Sequence, residues 1–289
     1  MPFNLFSNRH PLERIIFLLI ALLIATTASA QSSRKATKRK AAMQTEQPAQ
    51  PQLSPEEEQR LLGMEKVLIF DSLVISKAAL LQAIPLSPSS GTLAWDAKRH
   101  IVHTVSLGDE RFQSTTTDST HTVLTHSILI QGQWTEPETF LPSSVSDSLL
   151  QDTPFMMPDG LTLYFAQQGE GGDLDIYMTQ RASCHQPFYQ PEEIGLPFNS
   201  TANDYMYAID EETGIGCFAS DRRQPADSVC VYYFQLSPSR AIYDAQALSI
   251  QERIALSQIN SIAATWEDTP PATLNALRQR LKAMLKARR

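Results

Sequence analysis

Cysteine is scarce in this chain of 289 residues. There are three, Cys184, Cys217 and Cys230, and no two are spaced as Cys-x-x-Cys. Histidine forms no cluster either: His100, His103, His121 and His126 share one stretch without ligand spacing and read as strand or loop residues. A thiolate or imidazole metal site is therefore not expected, and neither is a cofactor. Long hydrophobic runs are also missing. The apolar run at residues 15–25 has 11 residues, well short of the ~20 that span a bilayer. Membrane association is expected to be peripheral at most. Basic charge is nearly absent from the body of the chain: residues 41–277 carry 30 acidic and 11 basic side chains, a net of −19, within a whole-chain charge of −7. Nucleic-acid phosphates need Lys and Arg, so a nucleic-acid partner is not expected.

The positive charge lies at the two ends, with +5 in residues 34–40 and +6 in residues 278–289. Arg9 and Arg14 precede the apolar run, and Ala28-Ser29-Ala30 follows it as an A-x-A cleavage site. That is the layout of a secretory signal peptide over residues 1–30, with mature protein beginning at Gln31. The basic residues at 34–40 favour cytoplasmic retention instead, which keeps a retained segment as the alternative. Residues 31–55, rich in Gln, Pro, Ala and Lys, read as a flexible linker. Ser54 with Glu57 is a capping-box pattern for a short acidic helix. Val67 to Ile75 reads as a strand, and Ser76 as the cap of a helix through Ala83 that Pro85 stops. These short elements fill residues 56–99. Residues 248–289 read as a helical hairpin. One stripe is Ile250, Ile254, Ile259, Ile262 and Trp266; the other is Leu274, Leu277, Leu281 and Leu285, with Thr269-Pro270-Pro271 between them.

Between these parts, residues 100–240 carry an internal repeat of 53 residues. Phe112, Phe165 and Phe218 share one position, and Val123, Ile176 and Val229 another. Short β-rich pieces repeating at this length are what a propeller blade requires, because one small sheet cannot bury both faces unless it stacks on another. In the clearest unit, residues 153–181, Pro158-Asp159-Gly160 is a turn: Pro presets φ, Asp bonds its own backbone, and Gly supplies positive φ. Leu161 to Ala166 follows as a strand with no charge on either face, which suits a sheet held between two others. Gly169 to Gly172 reverses the chain, and Asp175 to Thr179 returns.

The strings "PFMMPDGLTLYF" and "DIY" resemble the WD40-like repeat called PD40, found in the propeller of TolB and in exported proteins of the Bacteroidetes; Met157 stands where the family has Ser. Residues 197–234 are similar to its degenerate form. The resemblance covers about 140 residues of the chain. It implies an all-β repeat fold, a β-propeller-like stack of about three PD40 units with a C-terminal helical hairpin. It also implies an exported protein, in the periplasm or on the periplasmic face of the outer membrane, that serves as a non-enzymatic scaffold for an envelope protein partner. Three blades are fewer than the four to eight that close a ring. A degenerate blade from residues 64–99, an open stack whose end faces are covered, or a homo-oligomer completing the propeller would each resolve this. The open stack, covered by the helical tail, is the expected solution. Asp-Ser tripeptides at Ser72, Ser119, Ser148 and Ser228 look like the O-glycosylation motif of such exported proteins.

Catalytic arrangements find little support. A sialidase needs an arginine cluster, an acid/base carboxylate and a Tyr nucleophile; the repeat region has Arg111, Arg181, Arg222, Arg223 and Arg240, and Asp159-Gly160 lacks the spacer of a sialidase Asp-box. No Gly-x-Ser-x-Gly elbow is present. Asp173 and Asp175 beside Gly171-Gly172 read as turn residues, with a calcium loop as the alternative. For binding, Asn203, Asp204 and Tyr205 combine polar groups with an aromatic in a loop; the structural alternative is a turn and a packed strand residue. A glycan-binding module is the second functional reading. Cys217 and Cys230 fall on strands expected to be neighbours and are the candidate disulfide, with reduced, buried thiols as the alternative.

Overall fold

The computed structural model describes residues 53–117, 121–142, 145, 150–169, 171–184, 186–244, 246–267 and 269–287. The expected signal peptide, residues 31–52 of the expected linker, and Ser119 and Ser148 lie outside them. Among the described residues, fourteen strands, β1 to β14, form three antiparallel sheets. The first has the order β2 (Thr92–Trp95), β3 (Ile101–Thr104), β4 (Glu110–Thr116), β5 (Thr122–Ile130), with the two-residue strands β6 (Gln133–Trp134) and β7 (Glu138–Thr139) along β5. The second runs β8 (Gln151–Met156), β9 (Thr162–Gln168), β10 (Leu174–Gln180), β11 (Glu192–Glu193). The third runs β12 (Asp204–Asp210), β13 (Ile215–Ser220), β14 (Ser228–Gln235), β1 (Ile69–Ser76). The sheets do not close into a barrel.

The 53-residue spacing is a structural period. Phe112, Phe165 and Phe218 lie on β4, β9 and β13, and Val123, Ile176 and Val229 on β5, β10 and β14; all six are buried. Each later sheet is also hooked to the one before it across that interval. The Met156 N–H donates to His103 Nδ1 at 3.0 Å, and the Met206 N–H to Thr153 Oγ1 at 3.1 Å. Thr153 and Met206 occupy the left-handed region (φ 52° and 55°) inside bulges of β8 and β12. A bulge bends the strand and re-aims its side chains, here at equivalent points of two sheets.

Successive sheets face each other across apolar layers, and β9 shows why neither of its faces is charged. Leu163 and Phe165 pack with Phe112, Leu124 and Met156, whereas Tyr164 packs with the larger cluster that contains Phe198 and Tyr207. Between these layers the Asp159 turn forms as read: Gly160 has φ 65°, and Asp159 accepts from the N–H groups of Leu161 (2.7 Å) and Thr162 (2.9 Å).

The third sheet is completed from far away in sequence. β1 pairs antiparallel with β14, Val74 opposite Cys230 and Leu73 opposite Val231. Among the described residues, residues 64–99 thus form no separate sheet: β1 joins the third and β2 the first. Residues 77–83 are a 3-10 helix rather than an α-helix, and the Ser76 side chain makes no cap bond; the Tyr233 hydroxyl instead donates to Ala83 O at 2.9 Å, tying that segment to β14.

The tail differs in detail from two long helices. α2 (Ile250–Ser257), after α1 (Pro55–Leu62), is only eight residues; it opens with a capping box of Ser249 and Glu252. It stops at Ile259, which takes φ 50° in a Schellman-type end: Asn260 N–H to Ala255 O at 3.1 Å and Ile259 N–H to Leu256 O at 3.0 Å. Arg223 adds two bonds of 2.8 Å to the carbonyls of Gln258 and Ile259. A 3-10 turn at Ile262–Thr265 leads to α3 (Pro271–Ala287). Leu274, Leu277 and Leu281 are buried in the same cluster as Ile69 and Phe70 of β1, and Arg278 Nε donates to Phe70 O at 3.1 Å.

Candidate functional site

The sequence-derived candidates are held inside the fold. Asp204 is fully buried, and its carboxylate meets Arg222 at 2.7 Å and accepts from Ser200 N–H (2.6 Å) and Oγ (2.7 Å). Burial pushes its carboxyl up, opposed by the guanidinium. Arg222 also donates to the carbonyls of Phe198 (2.7 Å) and Pro197 (3.3 Å) and to Ser220 Oγ (2.8 Å). Asn203 binds both Asp221 oxygens at 2.9 Å and accepts from the Leu174 N–H of β10 at 3.0 Å. Buried Asn199 does the same for Ile176, accepting from its N–H (2.9 Å) and donating to its carbonyl (3.0 Å). Two asparagines thus take the place of strand pairing where β11 is too short to supply it. Tyr205 is half-buried on β12, and burial raises its phenol far above the usual range. This set latches the second sheet to the third.

Cys217 and Cys230 form no disulfide. Cys217 pairs with Tyr233 and Cys230 with Ser220, a three-residue offset along adjacent strands. That offset places the thiols on opposite sheet faces and about 10 Å apart along the strand, beyond disulfide reach. Asp173 and Asp175 do not converge with other ligands: among the described residues no three His, Cys, Asp or Glu side chains form a metal-binding group. Asp175 nonetheless has its carboxyl pushed up to about 7 by burial and by Glu193 and Asp204. Ser72 and Ser228 lie on the paired strands β1 and β14.

A site with room for a ligand lies elsewhere, where the second and third sheets face each other. A cavity of 530 Å³ opens there, closed at its sides by segments 65–68 and 236–241. One wall is a row across the second sheet, Tyr164 on β9, Met178 on β10 and Glu192 on β11, which are register partners. The facing row on the third sheet is Ile209, Gly216 and Phe234. Gly216 shapes it. A Cβ there would stand 2.2 Å from Phe234 Cζ, so only glycine lets the ring lie across β13. From that position Phe234 meets Tyr207 and Phe198, each at 5.4 Å, and Tyr207 meets Tyr164 at 4.6 Å. The floor is therefore a continuous aromatic surface of which Tyr164 is the half-exposed part.

The rim is charged. Glu65, Glu192, Glu193 and Glu267 line it with Lys66 and Arg240. Arg240 Nε lies 3.3 Å from Glu65, and Arg60 reaches Glu193 at 3.8 Å. Burial raises the Glu65 carboxyl even with Arg240 beside it. The Tyr164 phenol is pushed up to about 12, by burial first and then by Glu65, Asp159 and Glu211. Sequence reading assigns none of these residues to a site: Tyr164 reads only as a strand position and Arg240 only as one of the repeat-region arginines. The one signal available was Gly216, standing where the preceding repeat has Leu163. An apolar floor with a few convergent polar groups, in a space of this volume, is the usual form of a ligand site. No family model matches the chain, and no curated protein matches it.

Proposed function

We propose that the three sheets are blades of an open, propeller-like stack of the PD40 kind, and that the chain is an exported module of the cell envelope that acts by holding a protein partner. The shared strand order, the 53-residue period and the entry of β1 into the last sheet support the architecture. The observation that carries the function is the aromatic cleft between the second and third sheets, with its charged rim. Binding surfaces of propellers lie where sheets meet and loops emerge, since strand interiors are consumed by packing. The bonds of Asn199 and Asn203 to β10, braced by the Asp204–Arg222 pair, hold the two walls together and so act on recognition at a distance.

A photo-crosslinking residue at Met178, inside the cleft, tests this in the cells that make the protein. One dominant protein adduct is expected, absent when the same probe replaces Leu107, which is 85% exposed in the turn between β3 and β4. Identical adducts from both positions overturn the reading. Export is checked separately by N-terminal sequencing of the purified protein, with Gln31 expected first; a chain starting at residue 1 counts against it.

A further inference from the structure

The cleft's charge says what kind of partner it fits, an inference that rests on the reading of the cleft as a protein-binding site. We propose that it receives an extended basic segment of the partner, one Lys or Arg side chain lying along Tyr164 with its cationic head between Glu65 and Glu193. Four carboxylates line the cavity against two basic side chains. The rim already draws cations from within the chain: Arg240 to Glu65 and Arg60 to Glu193. Both arginines are more than half exposed, at 60% and 52% of their side chains. Exposed pairs of this kind are weak and exchangeable, so an incoming cation can displace them.

The shape points the same way. Phe198, Phe234 and Tyr207 are buried and offer no open platform for a sugar ring, while Tyr164 is half-exposed beside Met178. A methylene stem covers that strip and leaves its charge in the acidic rim. The Tyr164 phenol is raised first by its burial and then by carboxylates, of which Glu65 lines the cleft. The β11 pair Glu192–Glu193 is the edge of its sheet, so a peptide can add backbone hydrogen bonds alongside its side-chain contacts.

Calorimetric titration of the full chain with acetylated tri-lysine amide tests this, with tri-glutamate amide, spermidine and a soluble chito-oligosaccharide as comparators. Tri-lysine is expected to bind at low salt. The Glu65→Gln/Glu193→Gln double variant should weaken it about tenfold or more, with thermal melting unchanged. If that variant melts early, Glu192→Lys, on the exposed strand β11, replaces it with the same expectation. No binding of tri-lysine, equal binding by the charge variants, binding of spermidine alone, or binding of the sugar alone each overturns the proposal. The broader reading is judged independently: a Met178 adduct through an acidic or neutral segment ends the basic-segment proposal and leaves the protein-binding site standing, whereas no specific adduct ends both.

Discussion

The junction between the first and second sheets and the junction between the second and third are made by the same period and held by different chemistry. At the first, a small apolar cluster around Phe112, Phe165 and Phe188 is supplemented by polar bridges and by the Arg181–Glu110 ion pair at 3.4 Å. His103 joins Ser90 O to Met156 N–H, Gln151 accepts from the Leu124 N–H, and Ser114 donates to Asp152 at 2.7 Å. At the second, the apolar layer is larger and aromatic, Asn199, Asn203 and Thr153 supply the bridges, a fully buried Asp204–Arg222 pair braces the third sheet beside them, and a cavity remains. A repeat therefore fixes how backbones face each other. It leaves the filling free, and the place where the filling is incomplete is where recognition becomes possible.

The largest expected effect comes from uncovering the third sheet. Leu274, Leu277 and Leu281 of α3 are all buried, and truncating one such leucine costs about 2–5 kcal/mol. Removing residues 248–289 should abolish cooperative melting and cause aggregation, because no further sheet stands beyond β1 to replace the helix among the described residues. A truncated chain that stays soluble and melts in one transition would rule out the tail as the cover of that face.

Next in size is the contrast between the two junctions. Asp204→Ala leaves a buried guanidinium without its carboxylate and should cost about 3–5 kcal/mol. Gln151→Ala, its counterpart at the first junction, leaves one buried N–H unsatisfied and should cost about 1–3 kcal/mol. Urea midpoints measure both. Equal losses would mean that the ion pair is as exchangeable as a neutral bridge.

How much of this could be read from the sequence depends on how local each feature is. The Pro158-Asp159-Gly160 turn and the three aligned phenylalanines are legible, since turn chemistry and strand period act over a few residues. The partner of β1 is not: Val74 and Cys230 are more than half the chain apart, and nothing in residues 69–76 says which sheet edge they complete. Asn203-Asp204-Tyr205 stands out in sequence for its mixed chemistry, but the same composition suits a contact loop or a buried latch. Only the position of Arg222 separates the two. The stop of α2 at Ile259 is hidden because a β-branched residue is a poor choice for a left-handed helix end. The cleft is hidden for a different reason. It depends on a missing side chain at Gly216 and on two tyrosines 43 positions apart, Tyr164 and Tyr207, meeting across sheets.

Acid should act on the two junctions with opposite sign. His103 is fully buried and neutral, its imidazole lowered from 6.5 to about 4, chiefly by burial. Between those values the unfolded chain holds the proton and the folded chain does not, so folding stability rises with pH across that window. The contribution is complete above pH 6.5 and is lost as pH falls toward 4, amounting to roughly 3 kcal/mol. Asp175 acts oppositely and over nearly the same range. Its carboxyl stands near 7 rather than 3.8, so the folded chain holds the extra proton and stability falls as pH rises through that interval. Melting followed from pH 4 to pH 7 in the parent and in His103→Gln separates them: the two effects oppose each other in the parent, and the variant should lose the rise and keep only the fall due to Asp175. An unchanged slope would remove His103 as its source.

The smallest effect tests whether the hook between Thr153 and Met206 is worth the backbone strain it requires. Thr153 is buried, β-branched and left-handed, which disfavours it by roughly 1–2 kcal/mol against a relaxed conformation. Its hydroxyl accepts the buried Met206 N–H, which lies in the equivalent bulge of the next sheet. Thr153→Ser keeps the acceptor and drops the branch, so stability should change by no more than about 0.5 kcal/mol. Thr153→Ala leaves the N–H unsatisfied and should cost about 1–3 kcal/mol. Serine and alanine variants that melt alike would show that the bond contributes nothing and that β12 keeps its bulge for reasons internal to the third sheet. A difference between them fixes the hydroxyl as the link by which one repeat positions the next, and so as a determinant of the width of the cleft.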